Sequence, residues 1–107
     1  MTYGVILSTI SNINQAKKIA KKLVEEKFAA CVNIVPKIIS VYSWQNELCE
    51  DEEVLMIIKT RQELFEQTKN CILSNHPYAV PEIIMLPVIN GLESYLNWIK
   101  SETNYLK

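Results

Sequence analysis

Apolar residues along this chain come in two patterns: short unbroken runs, and longer stretches with an apolar residue at every third or fourth position. Tyr3 to Leu7, Tyr-Gly-Val-Ile-Leu, is of the first kind and reads as a buried strand. Ile13, Ala16, Ile19, Ala20, Leu23 and Val24 are of the second kind, with Lys17, Lys18, Lys21 and Lys22 opposite them and Asn12 and Gln15 placed as an N-cap pair. This is an amphipathic helix, and its lysines fit a solvated outer face. Ala29 to Trp44 is rich in Val, Ile, Tyr and Trp and reads as a long strand, with a bulge or an edge position at Pro36. The polar, acidic stretch Gln45 to Glu52 reads as a turn, and Glu53 to Thr60 as the returning strand of an extended hairpin.

A second helix follows, with Thr60 and Glu63 spaced as a capping box and Leu64, Phe65, Thr68, Cys71 and Ile72 at helical intervals. His76-Pro77-Tyr78-Ala79-Val80-Pro81 is a stiff connection, since each proline fixes its own φ and disfavours helix in the residue before it. Glu82 to Ile89 reads as a last strand limited by Pro87. Asn90, with Glu93 three residues on, reads as the cap of a helix whose apolar stripe is Leu92, Tyr95, Leu96 and Ile99. The order predicts one α+β domain over residues 1–107, a ferredoxin-like βαββαβ two-layer sandwich with an extra C-terminal helix.

The strands of such a sheet should alternate apolar and polar if only one face were covered. Val5-Ile6-Leu7, Val54 to Ile58 and Ile83 to Leu86 are instead apolar at consecutive positions. The sheet face without helices therefore needs cover, and further copies of the chain are the expected source, with the third helix able to shield part of the area.

Composition narrows the function classes. A chain of 107 residues suits one core, and 49% hydrophobic with 21% charged residues marks an ordered globular protein. Eleven basic and twelve acidic residues leave a net charge of −1, without the positive excess that steers proteins to nucleic acid. No run approaches the roughly 20 apolar residues of a membrane span, and the N-terminal stretch lacks a signal-peptide pattern. Cys31, Cys49 and Cys71 are odd in number and widely spaced, which fits a reducing, cytoplasmic setting better than a disulfide framework. With glycine only at positions 4 and 91, no phosphate-cradling loop can be written. Cys31 with His76 has the residue types of a nucleophile and base, but a cysteine within an Ala-Cys-Val strand is ordinarily buried and inert, and no catalytic role is expected.

The candidate chemistry gathers around the proline-bounded loop. His76, the sole histidine, and Glu82 are candidate ligands for copper or another divalent cation; the alternative is a histidine hydrogen-bonded within its own loop. Lys59, Tyr42, Trp44 and Tyr78, with Cys31, are candidates for a pocket holding a small anion or polar metabolite, against an internal Lys59–Glu82 ion pair. The acidic cluster Glu47, Glu50, Asp51, Glu52 and Glu53 fits an exposed turn.

Phe28-Ala29-Ala30-Cys31-Val32-Asn33-Ile34, Ser40-x-Tyr42-x-Trp44, Ile58-Lys59-Thr60, His76-Pro77-Tyr78-x-x-Pro81-Glu82 and Tyr95-Leu96-x-Trp98-Ile99 together resemble the CutA family of divalent-cation-tolerance proteins, over about Val5 to Ile99. The resemblance implies a ferredoxin-like subunit in a tight homotrimer, with long hairpins wrapping neighbours and a cleft near subunit boundaries. It also implies a role in tolerance of copper and other divalent metals, with no required cofactor. A PII-like module binding a small metabolite or nucleotide between subunits is the alternative function. RNA binding would need aromatics where the central strands are aliphatic. In copper-binding members of the family the ligands are a Cys in the first strand and two consecutive His; the matching positions here are Ser8, Asn75 and His76, which implies weak copper binding. Asn46 stands where the family commonly has Gly, and Asn tolerates positive φ.

Overall fold

A computed structural model describes residues 2–103. β1 (Tyr3–Ile10), α1 (Ile13–Glu25), β2 (Cys31–Trp44), β3 (Glu47–Arg61), α2 (Phe65–Asn75), β4 (Ile84–Pro87) and α3 (Glu93–Glu102) follow in order, with a single 3-10 turn, Gln62–Leu64, leading into α2. The strands form one sheet in the order β2-β3-β1-β4, and every neighbouring pair is antiparallel. This is the expected ferredoxin-like α+β sandwich with its additional helix.

Local chemistry accounts for the element ends. The Asn12 side-chain oxygen accepts the Gln15 N–H at 3.0 Å and starts α1. At the other end Lys27 turns left-handed (φ 63°), letting its N–H reach the Val24 carbonyl at 3.1 Å and the Phe28 N–H reach the Leu23 carbonyl at 3.0 Å. That pairing is a Schellman motif, which consumes carbonyls the helix leaves open. Ala16, Ile19 and Leu23 of α1 and Ile72 of α2 pack on Ile6 and Ile10 of β1 and Met56 and Ile58 of β3. Each such large aliphatic side chain contributes about 1.5–3 kcal/mol by leaving water. Ile13 and Val24, expected in the same stripe, lie at its rim and stay exposed.

Four sequence expectations need correction. The hairpin turn is Gln45–Asn46 alone, with φ of 51° and 65° as a two-residue I′ turn requires. Because the turn is so tight, Glu50, Asp51 and Glu52 continue the ladder opposite Val41, Ser40 and Ile39. Thr60 does not cap α2; it stays in β3 and its hydroxyl donates to the Phe28 carbonyl at 2.5 Å. The last strand is shorter than Glu82 to Ile89, pairing only from Ile84 to Pro87. α3 begins at Glu93 with Leu92, not Asn90, at its cap position, and of its expected stripe only Ile99 is buried.

Candidate functional site

The site begins with the irregularity in β2. Val35 faces Leu55 and Ile38 faces Glu53, so β2 advances three residues while β3 advances two. The extra residue is accommodated at Pro36 and Lys37, the latter at φ 61°. Side chains alternate along a strand, so this bulge reverses the parity of β2. Before it, Cys31, Asn33 and Val35 share a face with Lys59, Ile57 and Leu55; after it, Ile38, Ser40, Tyr42 and Trp44 share that face with Glu53, Asp51, Cys49 and Glu47. β1 adds Val5, Leu7 and Thr9, and β4 adds Leu86 and Ile84. All lie on the side opposite Ile6, Met56 and Ile58, away from the helix-packed core.

The proline-bounded loop is tied down onto this layer. The His76 Nε2 lies 2.7 Å from the Thr9 carbonyl, and the Tyr78 backbone N–H donates to His76 Nδ1 at 3.2 Å. These partners assign the proton to Nε2. The Tyr78 ring meets the imidazole edge-on at 4.6 Å, and its hydroxyl donates to Glu53 Oε2 at 2.6 Å. A chain of contacts thus runs from the β1 backbone through His76 and Tyr78 to a buried carboxylate of β3. Across the layer the Tyr42 hydroxyl donates to Asp51.

Between loop and hairpin lies a cleft of about 350 Å³, lined by Thr9, Tyr42, Trp44, Glu53, Tyr78, Ala79, Val80 and Glu82. Burial first, and then the bond to Glu53, pushes the Tyr78 phenol up to about 12. The bond to Asp51 does the same for Tyr42, also to about 12. Both rings therefore remain neutral at physiological pH.

Of the residues singled out from sequence, Tyr42, Trp44, Tyr78 and Glu82 meet in this cleft, and His76 stands behind Tyr78 as the anchor of the loop. Cys31 and Lys59 do not line it. They face each other farther along the sheet, where the Lys59 ammonium donates to the Asn33 side-chain oxygen and Cys31 Sγ approaches the same atom at 3.9 Å. In place of the alternative, an internal Lys59–Glu82 ion pair, Lys59 contacts Asn33. Thr9 is a lining residue that the sequence reading passes over, and Glu53, read there with the exposed acidic cluster, is instead buried in β3 and lines the cleft. Glu53 sits beside Val54 at the head of an apolar run, a signal that it belongs to the sheet and not to an acidic turn.

Ser8 is fully buried and its hydroxyl has no hydrogen-bond partner among the described residues, while Asn75 donates its amide to the Cys71 carbonyl at 2.8 Å. Among the described residues no three His, Cys, Asp or Glu side chains gather in a metal-holding group. Nor, among those residues, is any helix long and apolar enough to cross a membrane.

Residues 4–102 match the family described as CutA1 divalent ion tolerance protein. The divalent-cation tolerance protein CutA of Thermus thermophilus is 46% identical over 99 residues, covering 92% of this chain and 96% of that protein. Human protein CutA is 45% identical over 95 residues, covering 89% of this chain. The chain spans about half the length of the human and Arabidopsis thaliana relatives, 53% and 54% respectively. Among solved structures, the Thermus thermophilus protein superposes with a TM-score of 0.93 at 45% identity, covering 95% of this chain and 99% of that one. CutA1 of Oryza sativa gives 0.94 at 42%, covering 97% and 95%.

Proposed function

The chain belongs to the CutA1 divalent ion tolerance family, and from that premise we propose that it acts in the response to metal ions as a homotrimeric binding protein, not a catalyst, with low affinity of its own for copper. The observation that carries the assembly is the sheet face without helices, where Val35, Ile84 and Leu86 are 38%, 50% and 49% exposed. The projecting hairpin adds Ile39, Val41 and Leu48, at 62%, 63% and 83%. Apolar area of this extent is stabilised by burial against other copies of the chain. The free thiols of Cys31, Cys49 and Cys71 support a reducing, cytoplasmic setting.

Weak copper binding is supported by the engagement of both ring nitrogens of His76 within the chain. A metal at Nδ1 must displace the Tyr78 N–H, and one at Nε2 must break the link to Thr9. Ser8 and Asn75 supply a hydroxyl and an amide, poorer ligands for copper than thiolate and imidazole. Sedimentation equilibrium at low micromolar concentration should return three times the chain mass, and a monomer mass would refute the assembly. Competition titration should give weak copper binding for the wild type, less for His76→Ala, and much tighter binding for Ser8→Cys/Asn75→His. Wild-type affinity equal to that of the double variant would refute the low-affinity reading.

A further inference from the structure

We infer that the cleft between the hairpin and the proline-bounded loop takes a small organic cation, an amine or quaternary ammonium, held by the rings of Tyr42, Trp44 and Tyr78 with the carboxylates of Glu53 and Glu82. The inference rests on the reading of this protein as a binding protein and names the chemistry of its ligand. Three observations carry it. First, the charged side chains lining the cleft are both carboxylates, and within one protomer, among the described residues, neither forms an ion pair with a lysine or arginine. The expected small anion is therefore disfavoured by charge. Secondly, Glu53 is only 8% exposed and, among the described residues, its carboxylate receives a hydrogen bond from Tyr78 and no ion pair, so it offers a buried carboxylate to a cationic ligand. Thirdly, apart from Thr9 the rest of the polar wall is aromatic, Tyr42, Trp44 and Tyr78, and ring faces attract an alkylammonium through their quadrupoles while offering a bare metal ion no donor atoms.

The size agrees, since about 350 Å³ suits a ligand of a few carbon atoms and one charged head. Tyr78 is fixed by Glu53 and Tyr42 by Asp51, so two of the rings are positioned before any ligand arrives.

The test is isothermal titration of the full chain with choline, with its neutral isostere 3,3-dimethyl-1-butanol, and with acetate. Choline should bind at least about tenfold more tightly than the neutral alcohol, and acetate should not bind. Glu82→Gln, at an exposed position that does not threaten folding, and Trp44→Leu should each weaken choline by about fivefold to tenfold. Equal binding of choline and the alcohol would reduce the site to an apolar crevice and overturn the inference; so would preferential binding of acetate, or choline affinity unchanged in both variants. A trimer that ignores choline would sink this inference alone, whereas a monomer that binds choline would sink the proposed assembly alone.

Discussion

Ser8→Ala should make the protein more stable, an unusual expectation for truncation of a core residue. Ser8 lies in β1 between Ile6 and Ile10, opposite Met56 of β3, and is 0% exposed with no partner for its hydroxyl among the described residues. A hydroxyl moved from water to such a place costs about 1–3 kcal/mol. Removing the oxygen leaves a void of roughly 10–15 Å³, which at about 24 cal/mol per Å³ costs about 0.3 kcal/mol. The net gain is therefore about 1 kcal/mol. The neighbouring link to His76 runs through the Thr9 backbone carbonyl, so the substitution leaves it in place. Urea unfolding should be followed at a fixed protomer concentration, because the apparent stability of an oligomer depends on it. With a slope of about 2 kcal/mol per M, the midpoint should rise by about 0.5 M at unchanged slope. A midpoint that falls by a similar amount would mean the hydroxyl is bonded, for instance to a buried water, and the reasoning would fail.

Two further outcomes are expected. The Tyr78 phenol, raised from 10.0 to about 12, favours the folded state while protonated; that contribution is complete below pH 10 and is lost as pH rises through about 12. Titration of tyrosinate absorbance should show a late step near pH 12 that shrinks in Tyr78→Phe, and a wild-type curve with every tyrosine ionising near 10 would contradict it. Arg61, 8% exposed, donates Nε–H to the Thr103 hydroxyl at 2.9 Å and a second N–H to its carbonyl, clasping the end of α3 to β3. Arg61→Met should cost about 2–4 kcal/mol by leaving buried acceptors without donors, and a melting temperature unchanged within a degree would show the clasp to be energetically idle.

The fold could be read from the chain where one local rule decides. Ala16, Ile19 and Leu23 can share a face only on a helix, and Asn12 can cap only the turn that Gln15 begins. The reading fails where two rules compete. Thr60 has the spacing of a capping box, but an antiparallel partner in β1 and the Phe28 carbonyl hold it in the sheet. Glu50, Asp51 and Glu52 have turn composition, but a two-residue I′ turn upstream leaves them nothing to do except pair. In both cases a long-range ladder outweighs a local preference.

The site was legible in its residue types and not in its grouping, because the grouping depends on one residue of register. Without the bulge at Pro36 and Lys37, alternation would carry the face of Val35 to Lys37, Ile39 and Val41, leaving Tyr42 and Trp44 on the other side of the hairpin from Glu53. With it, both aromatics come round to the loop anchored by His76. The proline also suits its place, since β2 is an edge of the sheet and a missing N–H there breaks no interior ladder. β4, the opposite edge, carries Pro87 in the same way. The bulge that brings the cleft together thus lies in a strand whose outer side lacks a partner among the described residues. Deleting Lys37 removes the extra residue but keeps Ile38 opposite Glu53 and Tyr42 opposite Cys49, so it should leave both the helix-packed core of Ile6, Met56 and Ile58 and the grouping of the cleft in place, and a structure of the deletion variant with Tyr42 and Trp44 turned away from Glu53 would refute this account of the register.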